Sequence, residues 1–469
     1  MAIYVFSLLV GYVPSGVDYA LGMRYGYLKD LQQPVKYVFT QVPTERYVRR
    51  YEQMGIHTAD MLSAHLSMSG ECHVGVAPHI VEKAYYNNGH LEIKEYYSDR
   101  LLYTDYYVPV ETTGGRKDVP VKRCFRKQDG TVAYDVIIHE SGEETYLFPN
   151  GERLTRYEFI CRFIQQLNLS KEDTVIIDRP CYMDFVEPLF LHCNQAKIMI
   201  FLHSSHYAER GETDDFLYIN NEYYYWFKYA NLIDTMIVST ERQKRELIEK
   251  LREYGCHVPK VAVIPVSGLD RLQYPVTSRK PYSIMTASRL VPRKKIDWMI
   301  QSVVEAHKVN PMITLDIYGK SDEEDTLVLK RLVAENEAES YIHFMGHCDR
   351  MADIYTQYEA YITTSMWETY GLSLLEAVGA GNAVIGLNVK YGNELFIQDG
   401  YNGYLLDYDF RQIENEVYLE SLMHRIAQSI VQLFSDSERL ATFQANSYGI
   451  ASKYLNSVVG DKWVQLFQE

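Results

Sequence analysis

The chain lacks any apolar run long enough to cross a bilayer, so its pattern offers no helical membrane span. It also lacks cysteine pairs at metal-ligand spacing. The seven cysteines, Cys72, Cys124, Cys161, Cys181, Cys193, Cys256 and Cys348, are odd in number and scattered. They read as a reduced cytoplasmic thiol set. A basic excess is missing too. The formal net charge of -15 argues against nucleic acid as the main partner and gives no support to polybasic membrane anchoring. There is no low-complexity tract and no repeat of solenoid type. The opening Met1-Ala-Ile-Tyr-Val-Phe-Ser-Leu-Leu-Val-Gly11 has neither a basic leader nor a small-residue cleavage site, so it reads as a buried first strand. What the chain has in abundance is tyrosine, 41 of 469 residues, in a length that suits two or three full cores.

Apolar strands alternate with helical stretches along most of the sequence. One series of expected strands is Ile3–Leu9, Tyr37–Val42, Thr174–Asp178, Lys197–His203, Asp234–Ser239 and Val261–Val266. A second is Ser283–Ala287, Ile313–Tyr318, Tyr341–Phe344, Ala360–Thr364 and Ala383–Leu387. Helical patterns such as Thr240–Tyr254 and Ile296–Val309 fall between them. This is the pattern of an α/β chain with two doubly wound parallel sheets. Between about His73 and Phe148 the pattern changes to short alternating segments separated by glycine turns such as Asn87-Asn-Gly-His90 and Asp129-Gly130. That predicts an inserted antiparallel meander. The expected domains are residues 1–72 with 152–270, an inserted β domain of 73–151, and 271–469.

The segment Ser365-Met-Trp-Glu-Thr-Tyr-Gly-Leu-Ser-Leu-Leu-Glu-Ala-Val-Gly-Ala-Gly381 carries the most chemical information. From Leu372 it predicts a helix that is apolar almost all round and therefore buried. Gly371 suits the tight loop before it, and the free N–H groups of the first turn form an anion site. Glu368 lies on the loop and Glu376 in the helix. An anion cradle with two carboxylates suits a ligand that carries phosphate and several hydroxyls, such as a nucleotide sugar. The same segment also reads as a core helix whose single carboxylate is satisfied by a lysine or arginine.

Other candidates follow predicted strands. Gly16 in Gly11-Tyr-Val-Pro-Ser-Gly-Val-Asp18 allows close approach of backbone to ligand, or marks an ordinary tight turn. Arg289 and Lys294 in Ala287-Ser-Arg-Leu-Val-Pro-Arg-Lys294 can converge on a diphosphate at the carboxyl end of a sheet, where ligands bind in such folds. His203 and His206 end a strand of the first domain and are either cleft-facing or structural. Gly346 and His347 could frame a base through backbone groups. Tyr391 to Gly403 is a further glycine-rich loop.

Taken in order, Ser15-Gly16-Val17, Arg289, Lys294, Gly346 and Glu368-x7-Glu376 resemble the GT-B retaining glycosyltransferases of family GT4. The nearer resemblance is to the GtfA/GtfC-type enzymes of the bacterial accessory secretion system, which modify serine-rich repeat adhesins. It spans nearly the whole chain, including Val238-Ser-Thr-Glu-Arg-Gln243, Asp316-Ile-Tyr-Gly319 and Asp399-Gly-Tyr-Asn-Gly-Tyr-Leu405. The resemblance implies a GT-B fold with two Rossmann-like domains facing a cleft, the last helix being available to pack back on the first. It implies transfer of glucose or N-acetylglucosamine from a UDP-sugar to Ser/Thr of an adhesin, or to a first sugar already there. By it, Arg289 and Lys294 grip the diphosphate, Glu376 takes the ribose hydroxyls and Glu368 contacts the donor sugar. The N–H groups of Gly371 and Leu372 assist. His206, with His203 as second choice, lies beside the sugar, and Gly16 lets the first domain close on the phosphates. No Asp-x-Asp is placed to hold a metal, so the UDP-sugar is expected to be the only small molecule required. The insertion is the expected contact for a Ser/Thr-rich acceptor protein, another copy, or a partner subunit of the same fold. The expected location is the cytoplasm, including the inner face of the membrane. The chain departs from the family at Glu368-Thr-Tyr-Gly371, at Gly319-Lys-Ser and at Arg293, which leaves the donor sugar open. Two other readings share these features: a teichoic-acid glycosyltransferase, and a non-catalytic acceptor-binding subunit. The second should lack Arg289, Lys294 or Glu368, and all three are present.

Overall fold

The structure, a computed structural model, describes residues 1–7, 16–70, 80–112, 115–178, 184–193, 195–207, 219–320, 322–348 and 350–469. The chain divides into two compact units, the second comprising residues 238–246 and 263–469 among those described.

The first unit opens with β1 (Ile3–Phe6), β2 (Val35–Phe39) and β3 (Met61–Ser63). An excursion of seven strands follows: β4 (Val81–Asn87), β5 (His90–Tyr97), β6 (Leu101–Thr112), β7 (Gly115–Arg126), β8 (Val132–Ile138), β9 (Glu144–Leu147) and β10 (Arg153–Thr155). The chain then returns through β11 (Thr174–Ile177), β12 (Lys197–Phe201), β13 (Thr235–Val238) and β14 (Lys260–Val263). The returning strands join the opening ones in a seven-stranded sheet of order β14-β13-β12-β11-β1-β2-β3. Pairing from β13 through to β3 is parallel. Strands such as Thr174-Val-Ile-Ile177 are buried along their whole length, as a parallel sheet covered on both faces requires.

The excursion is an antiparallel seven-stranded meander in sequential order, β10-β9-β8-β7-β6-β5-β4. The turn expected at Asn87–His90 is a two-residue one, with Asn88 and Gly89 both at positive φ, 49° and 81°. Two corrections concern its strands. β4 has no counterpart among the expected segments, because Glu82-Lys-Ala-Tyr-Tyr86 is an exposed edge with no apolar alternation. β6 and β7 run 12 residues each, beyond the alternating segments Leu101–Val108 and Lys122–Arg126 that the sequence pattern predicts.

One face of the meander is a core. Phe125, Tyr134 and Tyr146 are fully buried and pack against His65 and against Phe159 of the helix Arg156–Gln166. That helix starts directly after β10 with a capping box, Thr155 to Glu158. Arg156 then ties β9 and the parallel-sheet layer together, donating to Glu144 and Asp184 at 2.6 Å each and to the Thr40 carbonyl at 3.1 Å. His65 sits fully buried within this junction.

Burial, with Arg156 and Arg123 nearby, holds the His65 imidazole well below its ordinary pKa. The fold therefore carries it neutral. An unfolded histidine takes up a proton near pH ~6.5, so this contribution to stability is complete above that pH and is lost as pH falls through it. Melting temperature should drop more steeply for the natural chain than for His65→Phe between about pH 7 and about pH 5. Parallel melting curves would show that His65 is not the acid-sensitive group.

The second unit is built on β15 (Lys280–Ala287), β16 (Thr314–Tyr318), β17 (Ile342–Gly346), β18 (Tyr358–Thr363), β19 (Ala383–Leu387) and β20 (Gly403–Leu406). Its sheet runs β17-β16-β15-β18-β19-β20, all parallel. The strand Ala383–Leu387 and the helix Ile296–Val309 have the expected bounds. The expected α/β class, with two parallel sheets and an antiparallel insertion, is therefore observed. Strand order in this sheet reverses between β15 and β18. That reversal opens a crevice outside their carboxyl ends, the place where ligands bind in such sheets.

Candidate functional site

Two loops enter this crevice. After β15 the chain passes through Ser288 and Arg289 to a short 3₁₀ turn, Pro292–Lys294, then to the helix Ile296–Val309. The turn is pinned to the end of β18. Thr364 Oγ1 donates to the carbonyls of Lys294 (3.2 Å) and Lys295 (2.7 Å), and Met366 N–H donates to the Arg293 carbonyl (3.0 Å). Lys294 then reaches across, its Nζ donating to Glu368 Oε2 at 2.5 Å. These residues are 74 apart in sequence. Arg289 is exposed beside this pair, and Arg293 feels its charge together with that of Glu368.

The second loop, after β18, leads through Glu368 to Gly371, which adopts φ 89° and ψ 64°. Only glycine enters this left-handed region without strain. The helix starts at Leu372 and runs to Gly379. Its first-turn N–H groups have no partner within the helix, the arrangement that favours anions at helix starts. Lys294, Glu368, Ser288, Gly371, Ser373 and Asn393 are among the residues lining a concavity there.

Glu376 requires a correction. The helix is buried through Leu374, Leu375, Ala377 and Val378, as expected, but the Glu376 side chain itself is exposed. Among the described residues no lysine or arginine is its partner. It accepts from the Tyr355 hydroxyl at 2.9 Å. Surrounding protein raises its pKa and the Tyr355 hydrogen bond opposes that rise. The Glu376 carboxylate thus meets solvent while crowded by surrounding protein. The apolar pattern of the helix could not show this, because one exposed position in a short helix leaves no period.

The next sheet positions stand alongside. Ser288 N–H donates to the Tyr318 carbonyl (3.1 Å), Leu290 N–H to that of Lys320 (3.2 Å), and Gly319 N–H to that of Gly346 (2.8 Å). The ends of β15, β16 and β17 thus lie side by side, with Arg289 on the first and exposed Gly346 and His347 on the third. The remaining candidates belong to the first unit. His206 is fully buried, its ring against Tyr207 and Phe227. His203 Nε2 meets Asp178 Oδ1 at 3.1 Å, and Asp178 also pairs with the buried Arg24. Gly16 is the first residue of the helix Gly16–Lys29, and Gly11–Ser15 before it lie outside the described residues. Among the described residues, no group of three His, Cys, Asp or Glu side chains could hold a metal ion.

Sequence reasoning missed Tyr355, Thr364 and Asn393. Tyr and Thr carry no distinctive spacing, and their roles depend on strand order. Asn393 sits in Tyr391-Gly-Asn, which reads as an ordinary turn.

Comparison with known proteins gives the geometry a family. Residues 274–425 match the model of glycosyl transferases group 1, and residues 71–150 match the GtfA extended beta-sheet domain. A UDP-N-acetylglucosamine–peptide N-acetylglucosaminyltransferase GtfA subunit from Streptococcus gordonii is 34% identical over 100% of this chain and 99% of its own length. The chain belongs to the GtfA family. The family's solved structures share its fold throughout. A GtfA/B complex superposes with TM-score 0.86 at 32% identity, covering 100% of this chain and 99% of that one. The pneumococcal O-GlcNAc transferase GtfA in complex with UDP and GlcNAc gives TM-score 0.84 at 30% identity, covering 100% and 98%.

Proposed function

We propose that the chain transfers N-acetylglucosamine from UDP-N-acetylglucosamine to serine or threonine of a serine-rich acceptor polypeptide, with retention of configuration. The observation that carries this is the Lys294–Glu368 pair beside the Gly371 helix start, at the crevice between β15 and β18. One cation, one carboxylate and a set of N–H groups fit a sugar diphosphate. The relatives named above act on this donor and on peptide.

In this reading Arg289 and Lys294 take the charge that builds on the leaving UDP, so no metal is required. Glu368 accepts from a donor-sugar hydroxyl, and Glu376 from the ribose. The acceptor oxygen forms its bond to the anomeric carbon on the face that the phosphate leaves. The anomeric carbon–oxygen bond breaks with its electron pair going to UDP, and the acceptor proton passes to a β-phosphate oxygen. The family's complex with a second subunit and the exposed edge β4, with Tyr85 and Tyr86 at 48% and 67% exposure, support the insertion as the partner contact. A reducing, cytoplasmic location accords with the unpaired Cys124, Cys161 and Cys193.

Incubating the purified chain, alone and with a partner subunit, with a UDP-sugar panel and a Ser-rich peptide tests the reading. Mass gain of one N-acetylhexosamine is expected. Peptide left unmodified under every combination would overturn it.

The two carboxylates should separate by calorimetry. Glu376→Gln should weaken UDP binding about ten- to a hundredfold, since a hydrogen bond to a charged group contributes ~1.5–3 kcal/mol. Glu368→Gln should bind UDP at least as well as the natural chain, because it frees Lys294, and should lose turnover. The opposite pattern would exchange the two roles.

A further inference from the structure

Glu368 is held in place from a distant part of the chain. Its N–H donates to the Lys390 carbonyl at 2.9 Å, and its own carbonyl accepts from the N–H groups of Tyr391 and Gly392 at 2.7 Å each. A side chain on Gly392 would lie 2.2 Å from the Tyr370 carbonyl oxygen, so the two segments touch without slack. The loop 388–394 is gripped in turn by the start of the helix Glu241–Glu253. Arg242 donates to Asn388 Oδ1 and to Glu394 Oε2, both at 3.3 Å. Glu246 meets Lys390 Nζ at 3.1 Å and Arg242 Nε at 3.2 Å. The four charges alternate in sign and sum to zero. Their anchor points at 388, 390 and 394 bracket the three residues that bond the Glu368 backbone.

We infer that Arg242 and Glu246 are positioning residues for the Glu368 carboxylate. This rests on the donor-site reading given above. Their side chains are 18–22% exposed, and those of Lys390 and Glu394 27–33%. Pairs this wet contribute little to overall stability. What they fix is the location of a short loop, and through it the direction in which Glu368 leaves the backbone. Asn393 Nδ2, bonded to the Leu387 carbonyl at 2.8 Å, ties down the inner side of the same loop. Only the outer side depends on Arg242 and Glu246, so their loss should let the loop shift without unfolding it. A shift of about 1 Å at a reacting group is enough to cost up to ~10²-fold in rate.

The test uses the full chain with two readouts. Arg242→Ala should lower kcat roughly ten- to a hundredfold with UDP affinity unchanged, and Arg242→Lys should restore part of it. In a double-mutant cycle, Arg242→Ala should add almost nothing to Glu368→Gln, because both act through one carboxylate. Amide exchange measured by mass spectrometry should quicken in peptides covering 366–372 and 388–394 and stay unchanged in β5 to β8. Additive rate losses, or unchanged exchange in those two peptides, would overturn the inference. If the natural chain transfers no sugar, the donor-site reading falls, and the exchange result still decides whether Arg242 holds Glu368.

Discussion

Lys294→Ala should cut sugar transfer by about 10²–10³ in kcat, the usual cost of removing one donor to developing charge, and should leave the fold intact. The structure supports both halves. The loop that carries Lys294 is fixed by backbone carbonyls, through Thr364 and Met366, and none of those bonds uses the lysine side chain. The Lys294 side chain is 17% exposed and that of Glu368 24%, so the carboxylate left behind can still reach water. A partly wet pair of this kind contributes about 1 kcal/mol or less to stability. Circular dichroism should give a melting midpoint near that of the natural chain, while UDP release in the presence of acceptor falls to the limit of detection. A folded Lys294→Ala chain with ordinary turnover would remove this residue from the diphosphate.

Gly319→Ala should be nearly as severe, by a different route. Gly319 adopts φ 139°, and a Cβ built there would lie 1.8 Å from the Ser288 carbonyl oxygen. No rotamer relieves a backbone collision. The strand ends must part, and the bonds from Ser288 to Tyr318 and from Leu290 to Lys320 part with them. Arg289 lies between those two bonds. Displacing it by about 1 Å should reduce UDP affinity and turnover up to a hundredfold. Methyl signals from the buried Ile284, Ile300 and Val303, read by NMR, should keep their dispersion. Unchanged UDP affinity by calorimetry would show that the β15–β16 junction does not shape the donor site.

Much of this was legible in the residues themselves. Runs such as Thr174-Val-Ile-Ile177 and Ala383-Val-Ile-Gly-Leu387 announce strands buried on both faces, and the glycine turns announce the meander. Glu368, Gly371 and Glu376 were readable because one short segment holds them all. Edges were not readable. β4 survives on hydrogen bonds to β5, and an exposed strand needs no apolar alternation. Pairings across long separations were not readable either. That Lys294 meets Glu368 across 74 residues follows from the order β16-β15-β18-β19, which composition does not encode. The exposure of Glu376 was not readable either, because one exposed position in a short apolar helix leaves no period.

The meander interrupts the parallel sheet in a way that matters during synthesis. β1 lies between β2 and β11, and the Ala2–Asp173 bond beside it spans 171 residues. A ribosome adding ~5–20 residues each second therefore takes on the order of ten to thirty seconds to deliver the strand that closes that edge. Until β11 is made, β1 has no strand to pair with on that side. The meander emerges in between. Its hairpins pair only with their sequence neighbours, so each can close within microseconds to milliseconds of leaving the exit tunnel. Its aromatic face then offers Phe125 and Tyr134 to His65, next to β3. An insertion that folds early and locally thus gives the unfinished sheet something to rest on. Slowing translation after about residue 155, where β10 ends, should raise the yield of correctly folded chain more than slowing it before residue 81, where β4 begins.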